Sequence, residues 1–185
     1  DYFLSKTKAE RLAWEFMESK GLRNKLTCIC PGGVFGDALD KKGGTSIEYV
    51  RQFMAGKFPG APKFAVLISD VKDIAKAHVA CIGNNKVGGR RLIVGKEVKK
   101  LVELSQLMAE AMPEYSKKLP KRELPNFMVK LISYLDSSAK MMIPDLEFIM
   151  QTDVSYAEEL LGFKFKPAKG CISENAKSVV RLGLV

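Results

Sequence analysis

Cysteine is scarce in this chain. Cys28, Cys30, Cys81 and Cys171 are too few and too scattered among 185 residues for a disulfide scaffold. Histidine is scarcer still: His78 stands alone, which leaves the Cys28-x-Cys30 pair few partners for a metal. The thiols are therefore expected to be buried and free, packing as small hydrophobes in a reduced, cytoplasmic setting. No run of about 18 uninterrupted apolar residues occurs, so no membrane span is expected, and the N-terminus shows no secretory pattern. Acidic residues are outnumbered, 21 against 30 basic, for a net charge of +9. A basic surface suits a nucleic acid or an anionic cofactor. No aromatic-and-basic RNA pattern and no zinc-finger spacing is present, so a solvated basic surface is expected, with no nucleic-acid partner.

What is present suffices for one sizeable core, with 46% apolar residues. Helix is predicted over Asp1–Lys20, where Leu4, Leu12, Ala13, Phe16 and Met17 recur near period 3.6, and Gly21 is suited to stop it in a left-handed conformation. Leu26–Cys30 reads as a buried strand ended by Pro31-Gly32-Gly33. A polar stretch from Gly36 precedes a helix capped by Thr45 or Ser46 and running to about Ala55. Phe64–Ile68 reads as a strand, followed by a helix capped by Asp70, with Asp73 in its first turn, that reaches about Ile82. Arg91–Val94 is another strand. Helices are expected over Val98–Met112, from Pro125 to about Leu135, over Asp153–Leu160 and over Ser173–Leu182. His78 reads as a core histidine, and Met141, Met142 and Met150 as adaptable apolar packing.

The chemistry concentrates at Tyr2 and Lys6. Four apart on a helix, they share one face. A phenol ordinarily keeps its proton to about pH 10, and a nearby cation favours the phenolate. Such a tyrosine can hand a proton to an oxygen gaining negative charge. The spacing alone equally describes an amphipathic helix whose Tyr packs and whose Lys is solvated.

The surrounding residues decide between these. Tyr2–Phe16, with Ser5-Lys6, Ala9-Glu10 and Ala13-Trp14, resembles the active-site helix of the extended short-chain dehydrogenases/reductases (the epimerase/dehydratase superfamily), in the dihydroflavonol reductase-like and aldehyde reductase branch. Cys30–Gly36 is similar to the strand end and Pro-x-x-Val-x-Gly loop that follow. Ile68–His78 resembles the Val-Asp-Val-x-Asp-Val-Ala-x-Ala-His segment, with Ser69 in place of a small or apolar residue. Leu160–Phe163 and Leu182–Val185 resemble the family's C-terminal ending. Together these span the second half of such a chain.

The resemblance implies an α/β fold, the C-terminal part of a Rossmann-type enzyme with a mostly helical substrate lobe. Residues 1–36 and 66–95 are expected as the last elements of the NAD(P)-binding unit, and 37–65 with 96–185 as the lobe; the Gly-rich N-terminal half, a partner this chain needs, is expected to be absent. It implies Tyr2 as proton donor and Lys6 as the cation that lowers its pKa and holds the nicotinamide ribose, both counted as cofactor-binding. The backbone of Pro31 and Val34 is implied to meet the carboxamide, Gly33 to let the chain approach the ring, and Ser46 to reach the cofactor. Gly33 has the backbone freedom for a close approach. Phe35, Ile47, Val50 and Phe53 are candidates for an apolar substrate pocket, or equally for packing within the lobe. The expected activity is NAD(P)H-dependent reduction of a small aldehyde or ketone, with NADP ahead of NAD and no metal. A sugar epimerase or dehydratase and a non-catalytic basic binding module remain alternatives. The chain alone is expected to be inactive.

Overall fold

The computed structural model describes residues 2–42, 44–134 and 143–185. Helix α1 (Tyr2–Ser19) is followed by a 3-10 turn at Arg23–Lys25, and strand β1 (Thr27–Pro31) runs straight on toward β2 (Gly33–Phe35). Helix α2 (Thr45–Met54), β3 (Ala65–Asp70), α3 (Val71–Cys81), β4 (Arg90–Val94) and β5 (Glu97–Lys100) come next. Helices α4 (Leu101–Ala111), α5 (Asn126–Ile132), α6 (Ser155–Leu161) and α7 (Ala168–Arg181) complete the order, with 3-10 turns at Pro113–Tyr115 and Ile143–Asp145.

The strands form two sheets. β1 and β4 pair in parallel from Thr27↔Arg90 to Pro31↔Val94. In the second sheet β3 is central, parallel to β2 from Gly33↔Ile68 and antiparallel to β5 from Ala65↔Lys100. The parallel pairs need crossovers, and helices supply them. Two apolar clusters result. One gathers Phe35, Val50, Phe53, Met54 and Ile68 with Leu104, Met108 and Ile172. The other packs Ala77, Leu92 and Val94 against Ala157, Leu161 and Phe165. Residues on the far side of position 96 thus contribute to both clusters.

Several expectations require correction. Helix α1 buries no residue: Leu4, Leu12 and Phe16 are exposed, because no described element covers that face. The loop after β1 contains a second strand, β2, since Gly32 lets the backbone lie directly on β3: a Cβ there would sit 2.2 Å from the Leu67 carbonyl oxygen. Gly44, rather than Thr45 or Ser46, is the residue before the first turn of α2, and it caps without a side-chain bond. The stretch at Val98 opens as strand β5, drawn out by its ladder with β3, and helix begins at Leu101. Helix α7 starts at Ala168, where Pro167 fixes the turn into it, five residues before Ser173. His78 is exposed, not core, with Nδ1 2.8 Å from the Ile74 carbonyl. Cys28, Cys30 and Cys81 are free but half-buried, and only Cys171 is fully buried. Met150 is exposed; Leu135, Met141 and Met142 lie outside the described residues. Asp70 does cap α3, accepting from the Lys72 N–H at 2.8 Å.

Candidate active site

Tyr2 and Lys6 stand on the first turns of α1. The Lys6 Nζ lies 5.7 Å from the centre of the Tyr2 ring, and Phe3 meets the same ring edge-on at 5.6 Å. Tyr2 is 65% exposed. Among the described residues neither the phenol oxygen nor the ammonium has a hydrogen-bond partner. Both polar groups are therefore available to a ligand.

One carboxylate fixes where α1 lies. Glu10 accepts from Arg91 of β4 through both oxygens, at 2.5 and 3.1 Å, and from the Trp14 indole at 3.1 Å. Arg91 holds the Glu10 carboxyl below its usual range, against the opposing effect of burial. Arg91 is paired in register with Cys28, so Glu10 marks the level of Cys28 on the sheet. Helix α1 descends and β1 returns through a tight turn. Tyr2 is then about 12 Å beyond Glu10, at 1.5 Å per helical residue, and Pro31 about 10 Å beyond Cys28, at 3.3 Å per strand residue. Pro31 closes β1 beside Val94, the last residue of β4. This is the carboxyl end of the parallel strands, where ligands bind in open α/β sheets.

The other candidate residues divide into two groups. Pro31 and Val34 are exposed at this end, and Ser46 is half-buried in the first turn of α2. Gly33 faces inward: a Cβ would lie 2.8 Å from Val66 Cγ2 and 3.0 Å from the Phe35 ring, so its lack of a side chain serves packing between β2 and β3. Phe35, Val50 and Phe53 are buried in the first apolar cluster, with Ile47 packed against it. Packing within the lobe, the other reading of these four residues, accords with these contacts.

Sequence reasoning missed the fastening of the segment after β2. Asn175 Nδ2 donates to the Gly36 carbonyl, Ser178 Oγ accepts from the Ala38 N–H at 3.0 Å, and Arg181 donates to Asp37 at 2.9 Å and the Ala38 carbonyl at 2.8 Å. The signal was a polar ridge at 175, 178 and 181, spaced three apart on a helix otherwise apolar on its inner face. A cleft of about 210 Å³ between Lys63, Phe64, Lys100, Glu123 and Glu147 lies at the opposite, opening end of β3. Its lysines are already paired with its carboxylates, Lys63 with Glu147 and Lys100 with Glu123. Among the described residues no three His, Cys, Asp or Glu side chains are placed to hold a metal ion, and no helix is long and apolar enough to cross a membrane.

No protein-family model matches the chain. An NADPH-dependent methylglyoxal reductase of Saccharomyces cerevisiae is 27% identical over 188 residues, which covers 97% of this chain and 51% of that protein. The crystal structure of the yeast methylglyoxal/isovaleraldehyde reductase complexed with NADPH superposes with a TM-score of 0.71 at 25% identity, over 96% of this chain and 54% of that one. Over nearly all its length the chain is thus similar, in sequence and in fold, to NADPH-dependent reductases. Tetraketide alpha-pyrone reductase 2 of Arabidopsis thaliana is 31% identical over 114 residues, covering 62% of this chain and 35% of that protein. The chain spans about half the length of the curated relatives it matches across nearly all its residues. Its α/β architecture, with parallel pairs crossed over by helices, is of the Rossmann type seen in the yeast reductase structure.

Proposed function

We propose that this chain is the later half of an NADPH-dependent reductase acting on a small aldehyde or ketone. The observation that carries the reading is the Tyr2–Lys6 pair, one helical turn apart, with no hydrogen-bond partner for the phenol or the ammonium among the described residues. The related reductases named for NADPH and methylglyoxal support the cofactor and the substrate class. The donor set fits a nicotinamide nucleotide: an ammonium with three N–H donors for a ribose hydroxyl, a phenol, and exposed backbone at Pro31 and Val34.

When bound, the nicotinamide supplies the hydride. The residues of this chain do the rest. Tyr2 places its hydroxyl against the substrate oxygen and donates its proton as that oxygen becomes an alkoxide; in the reverse direction it takes the proton back. Lys6 stabilises the phenolate left behind and holds the ribose. The Pro31–Val34 backbone orients the carboxamide, and Ser46 reaches the cofactor from the start of α2. The pyrophosphate and the adenosine end belong to an N-terminal half that packs against α1 and the free edge of β1.

The test joins this chain to its upstream half and follows NADPH oxidation with methylglyoxal and with an aromatic aldehyde. Turnover by the joined protein and none by the 185-residue chain is the expected result. Turnover by the chain alone, or NADPH binding with no reduction of any aldehyde or ketone, contradicts the proposal.

A further inference from the structure

Ser69 is where the chain departs from the segment it resembles, and catalysis by Tyr2 and Lys6 makes no use of it. It is 0% exposed. Its hydroxyl donates to the Val94 carbonyl at 2.6 Å and accepts from the Gly32 N–H at 2.8 Å. Val94 ends β4, Gly32 directly follows β1, and Ser69 lies in β3. β1 and β4 form one sheet and β3 belongs to the other, with no ladder between them among the described residues. One hydroxyl therefore ties together the carboxyl ends of strands from both sheets.

The site is shaped for that bond. A Cβ on Gly32 would strike the Leu67 carbonyl, and one on Gly95 would lie 2.7 Å from Leu67 Cγ and 2.9 Å from Ser69 Oγ. The backbones on either side are drawn against β3 as closely as a residue without a side chain permits. Gly32 is the single residue between β1 and β2. Its amide is the point at which the Pro31–Val34 turn is held to β3 before the short β2 ladder begins at Gly33↔Ile68.

We infer that Ser69 is a positioning residue: through Gly32 it sets the place of the Pro31–Val34 backbone, and so the angle at which the nicotinamide carboxamide is presented. The inference rests on the cofactor reading above. A small misplacement of a reacting ring costs rate far more than affinity when most binding contacts lie elsewhere.

Two measurements test it. Amide exchange of Gly32 is followed in the 185-residue chain for wild type, Ser69→Ala and Ser69→Cys, with Leu67 and Ile68 as internal references. Ser69→Ala should release Gly32 at least about tenfold, Ser69→Cys less, because a thiol is a weaker donor and acceptor. In the joined enzyme, kcat at saturating NADPH should fall about tenfold in Ser69→Ala while the KM for NADPH stays within about twofold. Unchanged Gly32 protection overturns the tether. A released Gly32 with unchanged kcat overturns the positioning role. If Ser69→Ala does not fold, Ser69→Cys is read by the same criteria, and loss of the fold in both overturns the inference in favour of stability alone. A wild-type joined protein that binds no NADPH refutes the cofactor reading instead, and leaves the Gly32 result standing.

Discussion

Glu158 shows how much one buried carboxylate can organise. It is 4% exposed on α6. One oxygen accepts from Lys96 at 2.7 Å and the Phe165 N–H at 3.0 Å, the other from Lys164 at 2.8 Å. Burial pushes its pKa up, but these three donors together outweigh burial and hold it at about 2. The folded-state value lies below the unfolded one, so the contribution to stability is complete above the ordinary carboxylate range and is lost as pH falls toward 2. Urea midpoints should decline in the wild type from about pH 4.5 down toward pH 2, and Glu158→Gln should be less stable at pH 7 with a flatter profile over about the same range. Equal pH profiles for the two proteins would show that Glu158 is not the titrating group. None of this was legible from sequence, because Lys96, Glu158 and Lys164 meet only once α6 is folded onto β4 and α3.

Most strands, and the helix ends marked by Asp70 and Gly21, are legible in the sequence, while β2, β5 and the start of α7 are not. Helix α3 was legible from Asp70, whose side chain caps it, and α1 ends where Gly21 takes φ +67. The helix expected from Val98 gives way to strand β5, because the ladder with β3 draws Glu97–Lys100 into the sheet. Helix α2 shows the same limit at the candidate pocket: its apolar face was legible, but whether Val50 and Phe53 met a substrate or a core was not. Phe53 is 2% exposed, stacks edge-on with Phe58 at 5.0 Å and sits in the larger apolar cluster. Phe53→Ala should therefore cost about 3–5 kcal/mol of stability. Thermal or urea unfolding of the chain measures this, and a change under about 1 kcal/mol would return Phe53 to the list of surface-lining residues.

On the scale of the whole molecule, the exposed apolar residues are not evenly spread. Phe3, Leu4, Leu12 and Phe16 stand out from α1, while β1 has a strand partner on one side only among the described residues. A helix with no buried residue, and a strand edge without a partner among the described residues, are each suited to further chain, or prone to association without it. That helix also carries the Tyr2–Lys6 turn, so the proposed chemistry and the arrival of further chain go together. The four family-like segments were legible as sequence; that Glu10 and Arg91 tie α1 to β4 was not, since it depends on a pairing 81 residues apart. The most direct measurement is the rate of carbonyl reduction by the joined enzyme carrying Tyr2→Phe, with NADPH affinity measured alongside. A loss of at least about 10²-fold in kcat with NADPH still bound is the predicted result; turnover near that of the wild type would contradict proton donation by Tyr2.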